Sequence, residues 1–353
     1  MRRAVKISLN LMKVLSGLIV MMTVSCERRP LFDPNELVKL MVKVNISTVA
    51  NVTCDIYNEN IPIPTISTDM MRVLIYDPET GSLLSQSFLS SKEINEEGEA
   101  VLSGTLNISH GDYDFIVYNF DTPTTQVTSE SEEKAVIAYT DKISEAVKTK
   151  YLGSKAQNFV GLTINEEPDH LVVARERNYR ISPHDTLVII ETEARTIIDT
   201  YYLQIHVEGM QYASQATAII SGLSPSNKFA LDLRTNDPTT GVYFDLVKST
   251  DKNIRGENKD VLCAVFNTFG KIEDVESDLL VTFNVIDTAG NLVQYETSLN
   301  TIFQTEEAIK HHWLLIEDTF VIPDPGNGNT TTNGSGFQPE VGEWEQEEGE
   351  INL

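Results

Sequence analysis

The stretch Val38-Lys39-Leu40-Met41-Val42-Lys43-Val44-Asn45-Ile46 decides the fold class of this chain. Its even-numbered positions include Leu40, Val42, Val44 and Ile46, all apolar, whereas the odd ones include two lysines and an asparagine. Successive side chains of a β-strand point to opposite faces, so this period of two predicts a strand with one buried face. We expect residues 38–46 to be the first strand of a packed sheet.

Similar strand patterns recur along the rest of the chain. In the first half they cover residues 71–76, 83–89, 100–108 and 113–120, and the turn Asp77-Pro78-Glu79-Thr80-Gly81 joins the first two as a hairpin. In the second half they cover 201–208, 216–223, 229–233, 242–247, 261–269, 279–286, 292–299 and 313–322. Neither half alternates helices with strands, as a parallel sheet would require. We therefore predict an all-β protein made of antiparallel sandwiches.

One segment departs from the strand pattern and predicts a single short helix inserted in the first domain. Between residues 129 and 151, apolar side chains lie three or four residues apart, with charged residues between them: Val136, Tyr139 or Ile143, Val147 and Tyr151. Residues 166–183 hold two prolines and mixed charge, which favours a domain boundary nearby. We predict a first domain over 26–180, a second over 181–322 and a flexible acidic tail over 323–353.

Residues 1–25 have the pattern of a lipoprotein signal peptide. Residues 1–13 are polar and basic, residues 14–24 form an apolar run of 11 that is too short to span a bilayer, and Ser25-Cys26 follows at once. A small residue directly before a cysteine at this place is what bacterial lipoprotein signal peptidase requires. We predict that Cys26 is the mature N-terminus and carries acyl chains that hold the protein in the outer membrane.

The charge balance argues against binding to nucleic acid, and no sequence motif indicates catalysis. The chain has 27 Lys and Arg against 52 Asp and Glu, a net charge of −25, and such a field repels phosphate backbones, so no nucleic-acid partner is expected. No GxSxG, HExxH, P-loop or GxGxxG motif is present. The one histidine cluster is His311-His312, and adjacent residues of a strand point to opposite faces, so the two cannot easily chelate one ion. We predict no catalytic residue, no metal site and no cofactor.

The C-terminal segment follows a flexible linker and allows two interpretations. Residues 323–336 are rich in glycine, asparagine and threonine, and residues 337–353 hold six glutamates and no basic residue. Phe337 and Val341 alternate with polar positions there, and Trp344, Ile351 and Leu353 add apolar anchors. Such a segment can add itself as a strand to an open groove of a partner. It can equally fold back on its own second domain or stay disordered.

Several stretches, in order along the chain, resemble the fimbrial anchor subunits of Bacteroidales. They are Cys26-Glu27-Arg28-Arg29-Pro30-Leu31, Met71-Arg72-Val73-Leu74-Ile75-Tyr76-Asp77, Gly111-Asp112-Tyr113-Asp114-Phe115-Ile116-Val117-Tyr118-Asn119, Asp199-Thr200-Tyr201-Tyr202-Leu203-Gln204-Ile205-His206-Val207-Glu208-Gly209, and Gly336-Phe337 leading to Trp344. The resemblance implies two transthyretin-like β-sandwich domains in tandem. It also implies a structural part in pilus assembly, with a fimbrial shaft subunit as the partner.

The resemblance also assigns a role to the first strand. Shaft subunits of this type lose an N-terminal strand by proteolysis at arginine, and the groove so opened accepts a strand from the next subunit, whereas an anchor keeps its own. Residues 31–71 contain no arginine, so the strand around Val42 should survive such a protease, which fits an anchor. The alternative function is a surface glycan-binding lipoprotein of a nutrient-uptake system. Its aromatic platforms would have to come mainly from the 12 tyrosines, since only two tryptophans exist.

Overall fold

The chain is built mostly from β-strands, as predicted. The computed structural model describes residues 37–48, 50–52, 64–96, 98–152, 163–235, 240–252, 258–272 and 278–326. In chain order the strands are β1 Val38–Ile46, β2 Met71–Tyr76, β3 Leu83–Leu89, β4 Ser91–Ile94, β5 Ala100–Ile108, β6 Gly111–Asn119, β7 Thr125–Thr128, β8 Ile137–Thr140, β9 Thr163–Glu166, β10 Val172–Ile181, β11 Leu187–Thr196, β12 Asp199–Glu208, β13 Ala213–Ser221, β14 Ser226–Lys228, β15 Leu233–Arg234, β16 Thr240–Asp245, β17 Val247–Lys252, β18 Asn258–Thr268, β19 Leu280–Asp287, β20 Leu292–Ser298 and β21 Trp313–Val321. The α-helices within these ranges are α1 Glu145–Leu152 and α2 Glu306–His311.

The first sandwich is an eight-stranded sheet that folds over on itself where β10 meets β11. One half has the strand order β4-β5-β1-β11 and the other β3-β2-β6-β10, and the two halves pair only at Val172 with Thr196 and at Val173 with Arg195. The inward side chains of both halves form one core, because alternate residues of each strand face the opposite half. The sheet therefore closes into a sandwich with β1 inside it.

The second sandwich consists of two separate sheets. Their strand orders are β17-β18-β12-β21 and β20-β19-β13-β16, and β9 from earlier in the chain is added parallel to β16. Apolar residues from 201 to 322 fill the space between the two sheets. Within this core the rings of Phe244 and Phe266 stack with their centroids 4.3 Å apart, which ties one sheet to the other.

The two sandwiches share one topology. The first sandwich consists of β1–β6, β10 and β11, and the second of β12, β13 and β16–β21. When the eight strands of each sandwich are numbered in chain order, both have the sheet orders 4-5-1-8 and 3-2-6-7. In each, the first strand is antiparallel to the fifth and parallel to the eighth. The prediction of two tandem β-sandwich domains is therefore confirmed. The sandwiches differ in their seventh and eighth strands. In the first sandwich these strands, β10 and β11, pair with each other, whereas in the second α2 lies between β20 and β21 in the chain.

A small third sheet connects the two sandwiches. Its order is β15-β14-β8-β7, so two of its strands come from residues 125–140 and two from residues 226–234. It covers the outer face of the β3-β2-β6-β10 half, where Tyr76, Tyr118 and Phe229 are fully buried. We call this third sheet and the apolar side chains beneath it the joint layer. Because both halves of the chain contribute to it, the joint layer packs the two sandwiches against each other.

Residues 129–151 differ from the single helix predicted for them. Glu145–Leu152 is α-helical and Glu133–Ala135 forms a 3₁₀ turn, but Ile137–Thr140 forms β8, with β7 on one side and β14 on the other. Val136, Ala138 and Thr140 are buried, a period of two. The apolar spacing here is compatible with both periods, and the hydrogen bonds offered by two neighbouring strands favour the extended form.

The domain boundary also needs revision. β11 pairs with β1, and the first core extends to Ala194, while the second core begins at Tyr201. We therefore propose a boundary at residues 197–198 in place of residue 180. β10 was not predicted as a strand because it contains several charged residues. One of them, Arg177, donates a hydrogen bond to the carbonyl oxygen of Ala230 in the joint layer.

Candidate partner interface

The first strand occupies the interior of its half-sheet. β1 is paired along one edge with β5 and along the other with β11. Its inward residues Leu40, Val42, Val44 and Ile46 are 0, 1, 0 and 2% exposed. Since both edges of β1 are hydrogen-bonded and its inner face is buried, a strand from another subunit could take this place only by displacing it.

Arg72 is the first arginine after β1, and its side chain is held by an ion pair and by two aromatic rings. Its guanidinium Nη1 donates to both carboxylate oxygens of Glu130 at 2.8 Å. The same guanidinium lies 5.5 Å from the ring centroid of Phe88 and 5.1 Å from that of Phe120. A protease specific for arginine needs this side chain in its own pocket, so the packing protects the peptide bond that follows Arg72.

Glu130 also joins two buried tyrosines to Arg72. The Tyr118 hydroxyl donates to a carboxylate oxygen of Glu130, and the Tyr76 hydroxyl donates to the Glu130 carbonyl oxygen at 2.8 Å. Burial raises the pKa of both tyrosines, so their hydroxyls remain protonated donors. We call Arg72, Glu130, Tyr76 and Tyr118 the Glu130 clamp. It fastens the loop after β7 to the face of β2 and β6 and so closes one margin of the joint layer.

The last strand is an edge strand within the residues that the structure describes. β21 pairs with β12 on one side, and its other side has no described backbone partner. Side chains bridge the gap to β20, where the Tyr295 hydroxyl donates to Asp318 at 2.9 Å and the Tyr295 ring stacks on Phe320 with centroids 5.5 Å apart. An edge of this kind is where a strand from another chain can be added.

The chain leaves the second sandwich through a tight contact. The Ile322 N–H donates to the Glu208 carbonyl oxygen at 2.8 Å, directly after β21. Gly209 has a φ of +82°, and a Cβ atom at this position would overlap the Ile322 carbonyl oxygen. Only glycine combines a favourable positive φ with room for the Ile322 carbonyl oxygen. Gly209 therefore allows the start of the C-terminal tail to pack against the end of β12.

We expect Gly209→Ala to lower the free energy of unfolding by about 2 kcal/mol, because it combines left-handed backbone strain with a backbone overlap. Gly290→Ala is the matched control: its φ is +88°, but nothing lies within 4 Å of the added Cβ. The control should lose only the strain part, about 1 kcal/mol. Urea denaturation followed by circular dichroism measures both, and equal losses would refute the proposed contact.

The predicted site residues of the two chain ends lie outside the described residues. These are the lipid attachment residue Cys26 and the tail residues Phe337, Val341, Trp344, Ile351 and Leu353. Their roles therefore stay predictions. The Glu130 clamp was not found from the sequence, because its charged partners stand 58 residues apart in stretches that show no motif.

A cleft of about 510 Å³ lies where the chain passes from β9 to β10. It is lined by Thr124, Ile143, Ser144, Val147, Glu166, Glu167, Pro168, Asp169, Tyr243, Phe244, Asp245 and Asn267. These residues include four carboxylates but no histidine, cysteine or lysine. Within the cleft, Asp169 accepts hydrogen bonds from the backbone N–H and the hydroxyl of Thr124 at 2.6 and 2.7 Å.

Glu167, a carboxyl of the cleft, has a raised pKa. Burial raises its pKa to about 7, although the Asn267 backbone N–H, which donates to it at 2.7 Å, acts in the opposite direction. Between its ordinary pKa of 4.5 and about 7, the folded protein holds a proton that the unfolded chain releases. Stability from this group is therefore complete below pH 4.5, falls as the pH rises through this window and is lost above it.

Glu167→Gln is expected to raise the free energy of unfolding by about 2 kcal/mol at pH 8 and to leave it unchanged at pH 4, since glutamine mimics the protonated acid. Thermal melts of variant and wild type across this pH range give the difference. The neighbour Glu166 is exposed, and Glu166→Gln is the matched control for the loss of one carboxylate from this cleft. If the stabilities of wild type and Glu167→Gln change with pH in the same way, Glu167 does not have the raised pKa described above.

The histidine pair lies elsewhere than predicted. His311 ends α2 and His312 follows with a φ of 57°, so neither stands in the strand. The His311 ring stacks on Trp313 at 4.4 Å and the His312 ring on Tyr201 at 4.7 Å. They remain directed to different neighbours, and within the described ranges no three histidine, cysteine or carboxylate side chains form a group that could hold a metal ion.

Comparison with known proteins adds relatives of two kinds. The putative fimbrium anchoring subunit Fim4B of Bacteroides ovatus is 21% identical over 180 residues; the alignment covers 50% of this chain and 47% of that protein, so the chain spans about half the length of this relative. The crystal structure of a putative adhesin from Bacteroides ovatus superimposes with a TM-score of 0.55 at 17% identity, over 86% of this chain and 98% of the other. The fimbrial anchor protein Mfa2 from Porphyromonas gingivalis gives 0.46 at 12%, over 81% and 91%.

The resemblance to fimbrial anchor subunits is thus confirmed, and the putative adhesin shares the fold. Among the residues that the structure describes, none of the helices combines the length and apolar composition needed to cross a membrane. The family model described as Domain of unknown function (DUF5119) matches residues 25–245. Because this match takes in well over half of the sequence, the chain belongs to the DUF5119 family.

Proposed function

We propose that the protein is a lipid-anchored structural subunit that holds a fimbria at the outer membrane and contacts a shaft subunit through β-strands. The observation that carries this proposal is the position of β1, which fills its own sandwich between β5 and β11. A shaft subunit would need this place vacant to receive a donor strand. A sandwich that already contains its first strand suits the end of a fibre.

The arginines near β1 support the same function. Residues 31–71 contain none, and the next, Arg72, is bonded to Glu130 and packed on two phenylalanine rings. An arginine-specific protease that matures shaft subunits would therefore leave β1 in place. The protein would reach the cell surface with its first sandwich intact.

The two ends of the chain have separate tasks in this proposal. β1 follows the acylated Cys26, so the first sandwich lies next to the lipid. The second sandwich provides the edge of β21 and the tail beyond Gly326 for the shaft subunit, by strand addition. The protein's role is structural, and the acidic cleft beside Glu167 takes no part in catalysis.

The proposal is tested by replacing Cys26 in cells that make the fimbria. In Cys26→Ala we expect loss of labelled palmitate from the protein and release of fimbriae into the medium, because the fibre has lost its membrane attachment. Ser25→Ala keeps a small residue before the cysteine and should retain both label and fibres. Electron microscopy of cells and immunoblots of the medium give the readout. Fimbriae that stay attached to Cys26→Ala cells at wild-type levels would refute the anchor role.

A further inference from the structure

The outer face of the β1–β11 pair divides into two unlike halves. In register, Lys39 lies beside Leu187 and Met41 beside Ile189, all on the face that points away from the core. Leu187 and Ile189 are 50 and 45% exposed, and Leu37, directly before β1, is 58% exposed. This end of the face therefore presents large apolar side chains and a lysine to the surroundings. We call Leu37, Lys39, Leu187 and Ile189 the basal patch.

The carboxylates of this face stand at the other end. Farther along the two strands, Lys43 pairs with Glu191 at 3.3 Å, and Arg195 pairs with Glu193 at 2.8 Å. In the basal patch the single charge is that of Lys39. A chain with a net charge of −25 thus leaves its first strand pair positive and apolar at one end only.

Two acids in the turns nearest the basal patch are already engaged. Asp112 pairs with Arg180 at 3.0 Å. Asp185 accepts a hydrogen bond from the Ser182 backbone N–H at 2.9 Å. The charge of Asp112 is thus balanced within the protein, and Lys39 supplies the charge of the basal patch itself.

The chain length to Cys26 places this end of the sandwich near the membrane. Ten residues lie between Cys26 and Leu37, and even when fully extended this stretch spans at most about 40 Å. β1 and β11 are parallel, so their starting ends lie together, and the chain moves on to the second sandwich from the opposite end, after Thr196. The basal patch is therefore at the end of the first sandwich where β1 begins, the end nearer to Cys26 along the chain.

We propose that the basal patch rests on the membrane, with Leu37, Leu187 and Ile189 entering the headgroup region and Lys39 facing anionic lipid headgroups. This inference rests on the proposed acylation of Cys26, which supplies the main anchoring energy. The patch adds a second, weaker contact that sets the orientation, so that the second sandwich points away from the bilayer.

The test uses the purified acylated protein in vesicles of phosphatidylethanolamine and phosphatidylglycerol, with and without brominated acyl chains. Ile189→Trp places a fluorophore in the basal patch, and Ile309→Trp places the same substitution on exposed α2 of the second sandwich. We expect brominated lipid to reduce the added fluorescence of Ile189→Trp about twofold and to leave that of Ile309→Trp unchanged, since quenching needs contact with the acyl region.

The outcomes separate this inference from the proposed function. If mass spectrometry finds no acyl chains on Cys26, the proposed lipid anchor fails and the inference fails with it. If the protein is acylated and bound to vesicles, but the two tryptophans are quenched equally or not at all, the basal patch does not rest on the membrane. A dimeric mass in that case would assign the patch to a second copy of the chain.

Discussion

Val44→Asp is expected to lower the free energy of unfolding by about 4–5 kcal/mol, close to the whole stability of a small domain. Val44 is 0% exposed and lies in β1, which is hydrogen-bonded to β5 and β11 on its two sides. The carboxylate of an aspartate at this position would have neither water nor a counter-charge. Loss of the buried valine contributes about 2 kcal/mol, and burial of an unpaired polar group the rest. Urea denaturation measures the loss.

The neighbouring position offers a matched control. Asn45 is exposed on the opposite face of β1, and Asn45→Asp adds the same charge at a cost of about 0.5 kcal/mol or less, from repulsion by Glu193 beside it. In cells, the Val44 variant should lose attached fimbriae while the Asn45 variant keeps them. If Val44→Asp is as stable as Asn45→Asp, β1 is not an integral strand of the first sandwich, and the anchor proposal loses its main support.

Glu130→Ala should cost about 3 kcal/mol, somewhat less than a fully buried pair, because its side chain and that of Arg72 are 22 and 26% exposed. The substitution removes the counter-charge of Arg72 and the acceptor of the Tyr118 hydroxyl at once. The partly exposed Arg72 guanidinium and the hydroxyl of the fully buried Tyr118 are then left without these partners. Thermal melts should show a drop of several degrees, and the loop after β7 should exchange its amide hydrogens faster.

Glu132→Ala is the control for the Glu130 clamp, since Glu132 is exposed two residues away. It should change the free energy of unfolding by less than about 0.5 kcal/mol. The double variant Arg72→Met with Glu130→Ala should be more stable than Glu130→Ala alone, because no unpaired charge is left. A double variant that loses the sum of the two single effects would argue against coupling through the clamp.

Local sequence patterns were a sound guide to four strands of the first sandwich. β1, β2, β3 and β5 were predicted with their observed bounds, β1 from its alternation and β2 from an apolar run that is buried on both faces. β11 was not predicted, although alternate residues of it are buried. Periodicity was misleading in the joint layer, because this layer buries apolar residues on the outer face of a sheet, which would otherwise be exposed to water. There β8 was taken for part of a helix and β10 for a boundary region.

The candidate site was predictable only in part. That β1 survives an arginine-specific protease follows from a count of residues and from the resemblance to anchor subunits. The engagement of Arg72 could not be foreseen, because Glu130, Phe88 and Phe120 come to it from three different loops and strands. The basal patch likewise needs β11 beside β1, and these strands stand 148 residues apart at Lys43 and Glu191.

The sequence by itself determined the class of strand-rich fold, the buried face of β1, the acidic charge and the absence of arginine from residues 31–71. All of these depend on residues that are near neighbours in the chain, where a period of two or a simple count is enough. Only the tertiary structure decided that β1 pairs in parallel with β11, that the joint layer packs the sandwiches together and that Glu130 holds Arg72. Such contacts depend on which distant surfaces bury the most apolar area while satisfying their polar groups, and that choice is made by the whole chain at once.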